Sequence, residues 1–179
     1  MLEITIPGME QWDEERNEFV YTKEQTLKLE HSLVSLSKWE AKWCKPFISK
    51  EPKTTEETVD YIKCMTLNKN VDPNIYYCIS NKQMDKINEY IEAPMTATTF
   101  SGKDKGHSRE QITAELVYYW MIALNIPFEC QKWHLNKLLT LIRVCNIKNA
   151  PPKKMGANAL MRRNAALNAA RRKKYNSKG

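Results

Sequence analysis

The sequence predicts a mainly α fold: a helix-dominated domain with a small N-terminal β-hairpin or sheet, followed by a basic C-terminal extension. Three observations predict it. Period-two runs are confined to about residues 2–30, apolar residues recur at helical spacing from Leu33 to Ile147, and an acid-free cationic stretch follows.

Leu2-Glu-Ile-Thr-Ile6 and Thr26-Leu-Lys-Leu-Glu30 alternate apolar with polar, and Phe19-Val-Tyr21 is aromatic and β-branched, so each reads as a strand. Leu33, Leu36, Trp39 and Trp43 then form an inward helical stripe that Pro46 should end. Glu40 projects into the same arc, so its carboxylate either finds a partner or lies on an exposed edge. Thr54-x-x-Glu57 is a capping box ahead of Val59, Ile62 and Met65. Asp72-Pro73 opens a short helix through Ile75 and Tyr76, and Ser80-x-x-Gln83 caps another with Met84, Ile87 and Ile91 inward. Residues 94–107 read as an exposed loop. Ser108-x-x-Gln111 then predicts a cap on a long helix to about Leu124. Pro127 breaks the pattern, and a second helix is expected from about Phe128 to Ile147. Two apolar helices across so short a break predict an antiparallel pair at the heart of the fold. Ala150-Pro-Pro152 marks the domain end, dividing the chain into 1–149 and 150–179. Asn158–Lys174 is rich in helix formers, but its few large apolar residues make it marginal alone.

Ten of the 28 basic residues and none of the 21 acidic ones follow Ile147, which leaves residues 1–147 with 18 and 21, a net of about −3. A near-neutral body holding out a cationic arm is a binding architecture. No run approaches the length of a membrane span, and Met1–Pro7 has no leader-like pattern. The odd set of five cysteines, without a Cys-x-x-Cys, predicts free, buried thiols in a reducing compartment.

The residues offer no recognisable reaction chemistry, and neither catalytic residues nor a cofactor are expected. Cys130 and His134, four apart, with Cys145 are the best metal candidates, but Trp133 and Leu135 flank the histidine and no second chelating pair exists, so packing is the favoured reading. His31 and His107 are isolated in sequence, which disfavours a thiol nucleophile. Glu14-Glu15 reads as a solvated turn and Glu56-Glu57 as a helix N-terminus. Ser-Gly-Lys-Asp-Lys-Gly lacks the context of a phosphate loop. Trp39, Trp43, Trp120 and Trp133 fall at apolar spacing on predicted helices and are assigned to the core, with any exposed remainder marking an interface. The candidate partner-binding residues are Arg162, Arg163, Arg171, Arg172, Lys173 and Lys174. The two arginine doublets, nine residues apart, fall on opposite helix sides.

Leu29–Phe47 (LEHSLVSLSKWEAKWCKPF) and Tyr118–Asn149 (YYWMIALNIPFECQKWHLNKLLTLIRVCNIKN) resemble a family of small proteins from the tail-morphogenesis region of tailed bacteriophages. The Pro-Met-Thr-Ala-Thr-Thr-Phe loop and the Asn- and Arg-rich ending are similar as well. The resemblance implies a tail assembly chaperone: a helical, non-enzymatic protein of the host cytoplasm that binds the tape-measure protein. A virion role at the head–tail junction is the alternative it leaves. The tail adds nucleic acid as an alternative partner to protein, and self-association is also open. Protein is favoured, because no base-reading motif is present and the cations do not line one face.

Overall fold

The computed structural model describes residues 1–13, 17–49, 51–100, 111–151 and 156–177. Glu14-Glu15, residues 101–107 with His107, the Ser108 cap, and Lys153, Lys154 and Lys178 lie outside the described residues. The fold is helix-dominated with a small β part at the N-terminus.

The strands form one nested hairpin. β1 (Leu2–Ile6) pairs antiparallel with β4 (Gln25–Leu29), and β2 (Met9–Asp13) pairs with β3 (Glu18–Thr22). Leu2 opposite Leu29 and Ile4 opposite Leu27 place the apolar set of the first pair on one face, where Ile4, Ile6, Leu27 and Leu29 are buried. Gly8 joins the two pairs; a Cβ there would come within 2.7 Å of the Thr22 carbonyl oxygen, so backbone approach demands glycine. The Thr22 hydroxyl donates to the Met9 carbonyl (2.9 Å) and accepts from its N–H (3.1 Å).

Helix α1 (Leu33–Trp43) starts at a Ser32/Ser35 capping box and ends at Cys44 in the left-handed conformation (φ 52°), two residues ahead of Pro46. The Thr54/Glu57 and Ser80/Gln83 boxes open α2 (Thr55–Met65) and α3 (Asn81–Glu92). The Asp72 carboxylate accepts from the Asn74 N–H at the head of a 3-10 turn, Pro73–Cys78.

The second half departs from expectation. Helix α4 (Ala114–Ala123) is capped by Thr113, not by a Ser108/Gln111 box, because Ile112 is extended and bridges to Ile48. The stretch after Pro127 is not one helix. A 3-10 turn covers Phe128–Lys132, His134 bridges to Ser32, and only then does α5 (Leu135–Asn149) begin. The Leu135 N–H donates to the His31 carbonyl oxygen (2.7 Å), so pairing to the β4–α1 junction interrupts the helical pattern. The antiparallel pair is likewise corrected: α4 and the 3-10 turn both pack chiefly on α1.

Two apolar clusters result, and α1 serves both. Trp39 faces β1, β4, α2, α3 and the first 3-10 turn, while Leu33 and Leu36 face Ala114, Val117, Met121, Leu135, Leu138 and Ile142. Glu40 lies on this helix and is buried. Its carboxylate accepts from the Phe47 N–H (2.8 Å) and from the N–H of Ala114 at the head of α4 (2.7 Å). The acid found partners, and they include the positive end of a helix.

The chain divides into two units, Met1–Ile147 and Lys148–Gly179. The second consists largely of α6 (Ala157–Tyr175), none of whose residues is buried.

Candidate protein-binding face and cationic helix

The four candidate tryptophans separate on folding. Trp39 is 1% exposed, and its indole N–H donates to the Glu57 carbonyl oxygen at 2.8 Å. Trp43 is half-buried, stacked on Trp39 at 6.2 Å and donating to Asp60 at 3.0 Å. Trp120 is half-buried against the α4–α5 cluster. Trp133 is corrected from core to surface. It is 39% exposed beside the Lys137 ammonium, 4.3 Å from the ring centroid, because it lies at the kink before α5 and not within a helix.

Helix α4, Ala-Glu-Leu-Val-Tyr-Tyr-Trp-Met-Ile-Ala, is apolar but for Glu115, which lies on its outward side. Such a helix is ordinarily buried all round. Here the core takes only Ala114, Val117 and Met121, leaving Tyr119 at 63% and Ile122 at 62% exposure. These two are three residues apart and share one outward side. Phe128 and Trp133, which bracket the following 3-10 turn, are exposed as well, and Tyr118 donates to Gln131 (2.9 Å), holding that turn to α4.

A buried polar seam, spread over residues 30–134, had no signal in the sequence. Tyr90 donates to Glu30 (2.8 Å), whose other oxygen meets the N-terminal ammonium (3.0 Å). His31 is hydrogen-bonded to the Tyr61 hydroxyl, and the His31 and His134 rings lie 5.0 Å apart. The Asn136 N–H donates to His134 Nδ1 (3.3 Å), which leaves Nε2 to donate to the Tyr90 carbonyl oxygen (2.9 Å). Burial, with His134 adding, lowers the His31 pKa to about 4; burial also lowers that of His134, although its bond to Tyr90 opposes the shift. Both imidazoles are buried, so this seam holds the fold together and does not face a substrate.

Acid should therefore loosen the seam. A depressed histidine is neutral in the fold and charged once unfolded, so its contribution is present above pH 6.5 and is lost as pH falls towards 4. The loss is on the order of 3 kcal/mol for His31. Burial pushes the Asp60 carboxyl up, but bonds from Lys42 and Trp43 hold it below its ordinary 3.8; Lys45 and the Thr54 N–H hold Glu57 below 4.5. The stability these two carboxylates lend is present above their ordinary values and is lost only as pH falls below them. Melting temperature should fall between pH 6.5 and 4.5, and His31→Gln should flatten that limb. An unchanged slope in the variant would remove His31 from the account.

Among the described residues, no three His, Cys, Asp or Glu side chains converge as a metal site would require. Cys130 is buried, and both ring nitrogens of His134 are engaged by backbone groups. The expectation of buried thiols fails at Cys44, which is exposed at the end of α1; Cys64 and Cys145 are half-buried. Burial, with the Asp60 carboxylate adding, pushes the Cys64 thiol up, opposite to a nucleophile's requirement. No helix of the described residues is long and apolar enough to cross a membrane.

On α6, Arg162, Arg163, Arg171, Arg172, Lys173 and Lys174 are all exposed. Arg162-Arg163 and Arg171-Arg172 take roughly opposite sides. Lys173 and Lys174 follow the first doublet by eleven residues, about three turns, and return to its side. Four of the six cations thus share one broad face, a feature hidden when only the arginines are compared.

Comparison of the chain with protein families, with curated proteins and with solved structures finds no match in any of the three.

Proposed function

We propose that this protein is a non-enzymatic morphogenesis factor of a tailed bacteriophage, a tail assembly chaperone that covers an amphipathic helix of the tape-measure protein in the host cytoplasm. The exposed Tyr119–Ile122 side of α4 carries the reading. A helix apolar but for Glu115, with Tyr119 and Ile122 left outside the core, suits an amphipathic helical partner. The resemblance of residues 29–47 and 118–149 to phage tail-morphogenesis proteins supplies the class of partner. Aromatic and aliphatic anchors of this kind dominate binding energy when a partner desolvates them.

Co-expression should raise the soluble yield of the tape-measure protein and give a complex on size exclusion. Tyr119→Lys with Ile122→Lys should abolish both while leaving the melting temperature of the free protein nearly unchanged, since neither side chain is in the core. Unchanged tape-measure yield with wild-type protein would remove the chaperone reading. Mass spectrometry of purified virions separates the rival: a chaperone is absent from mature particles, whereas a head–tail junction protein is retained.

A further inference from the structure

We propose that the β2–β3 ribbon is a self-association arm. Strand β3 pairs antiparallel, edge to edge, with β3 of a second copy, centred on Val20, to give a four-stranded sheet ordered β2-β3-β3-β2.

The nested hairpin loses its cover at β3. Along β1 and β4 other elements supply hydrogen bonds: Gln83 donates to the Thr5 carbonyl oxygen (2.8 Å), the Leu67 N–H to that of Lys28 (2.8 Å), and Asn68 to that of Thr26 (3.0 Å). Among the described residues, β3 pairs with β2 alone. A two-stranded ribbon is marginal in water, and its open edge is a template for a further strand. Phe19 and Tyr21, two apart and therefore on one face, are 61% and 73% exposed. The Tyr21 hydroxyl is hydrogen-bonded to Glu10, its cross-strand neighbour, which fixes that ring on the ribbon.

Register and charge name a second copy as the occupant. Antiparallel strands set residues of the same face opposite one another, so a symmetric pair must centre on one residue. Centring on Val20 sets each Phe19 opposite Tyr21 of the other copy, two aromatic pairs from a single strand sequence. Centring on Tyr21 brings Glu18 level with Glu24, two like charges. Centring on Phe19 brings Tyr21 level with Asn17, whose φ of 54° lies outside the strand. The β2 edge suits self-pairing less: Met9–Asp13 holds two acids and no base, whereas Glu18–Lys23 holds one of each. This inference is independent of the α4 face.

The experiment is sedimentation equilibrium of the full-length chain over a concentration series. The wild-type protein should pass from monomer to dimer. Tyr21→Lys or Phe19→Glu should each weaken the dimer about tenfold, because either change removes both aromatic pairs. A mixture of the two variants should associate more tightly than either alone. The mixed dimer keeps one Phe19–Tyr21 pair and sets the new cation opposite the new anion. Neither change touches the core, so the melting curve of the body should not move. A monomer at every concentration would overturn the proposal, as would a mixture no tighter than its parents. A dimer unmoved by both variants but lost in Tyr119→Lys with Ile122→Lys would also overturn it, and would assign self-association to α4.

Discussion

Trp39→Ala is expected to lower the stability of the body by roughly 3–5 kcal/mol, the range for emptying a buried aromatic site. Among the described residues Trp39 is the largest fully buried side chain, with Phe47 edge-on at 5.1 Å and Trp43 stacked at 6.2 Å. Its indole N–H holds the Glu57 carbonyl, so truncation removes a hydrogen bond as well as volume. The cavity would open within the cluster joining the hairpin to α2 and α3 and could not collapse without moving α1, whose other side packs the second cluster. Chemical denaturation measures the loss. Trp133→Ala is the control and should cost about 1 kcal/mol or less, because that ring is already substantially solvated. Equal losses for the two variants would contradict the separation of core from surface indoles.

Glu40→Ala should cost about 2–4 kcal/mol for a different reason. Little apolar volume is lost, but the N–H groups of Phe47 and Ala114 lose their acceptor, each at about 1–3 kcal/mol where water cannot replace it. Ala114 opens α4, so the carboxylate also faces the positive end of a helix. Glu40→Gln should recover part of the loss, since its amide retains one acceptor oxygen. Amide hydrogen exchange gives the local readout: the first turn of α4 should lose protection in Glu40→Ala more than the last turn of α2 does. Uniform loss of protection would show Glu40 to be an ordinary core position with no special hold on α4.

Local chemistry made much of the fold legible. The Thr54/Glu57 and Ser80/Gln83 boxes are read from four adjacent residues, and each opens a helix where expected. Strands β1 and β4 follow from period two, because one face of that pair is buried and the other is not. Errors appear where long-range pairing outweighed local pattern. Residues 128–147 hold helical spacing throughout, yet the bridge from Ser32 to His134 and the bond from Leu135 to His31 pull the chain out of helix near Trp133. Helix α4 begins only after Ile112, which pairs with Ile48, so Thr113 is its cap.

Sequence alone determined the helix-dominated class, the strands β1, β3 and β4, the caps of α2 and α3, and the concentration of positive charge after Ile147. Each is a property of neighbouring residues or of composition. Only the tertiary structure decided which indoles are core, that Glu40 ties α1 to α4, that His31, Tyr61, Tyr90 and His134 meet, and that the Tyr119–Ile122 side is left outside. Such pairings join residues far apart along the chain: 74 positions separate Glu40 from Ala114, and His31 is farther still from His134. Periodicity states that a side is apolar; which apolar side is covered depends on the surfaces that remain once α1 has been shared between two clusters.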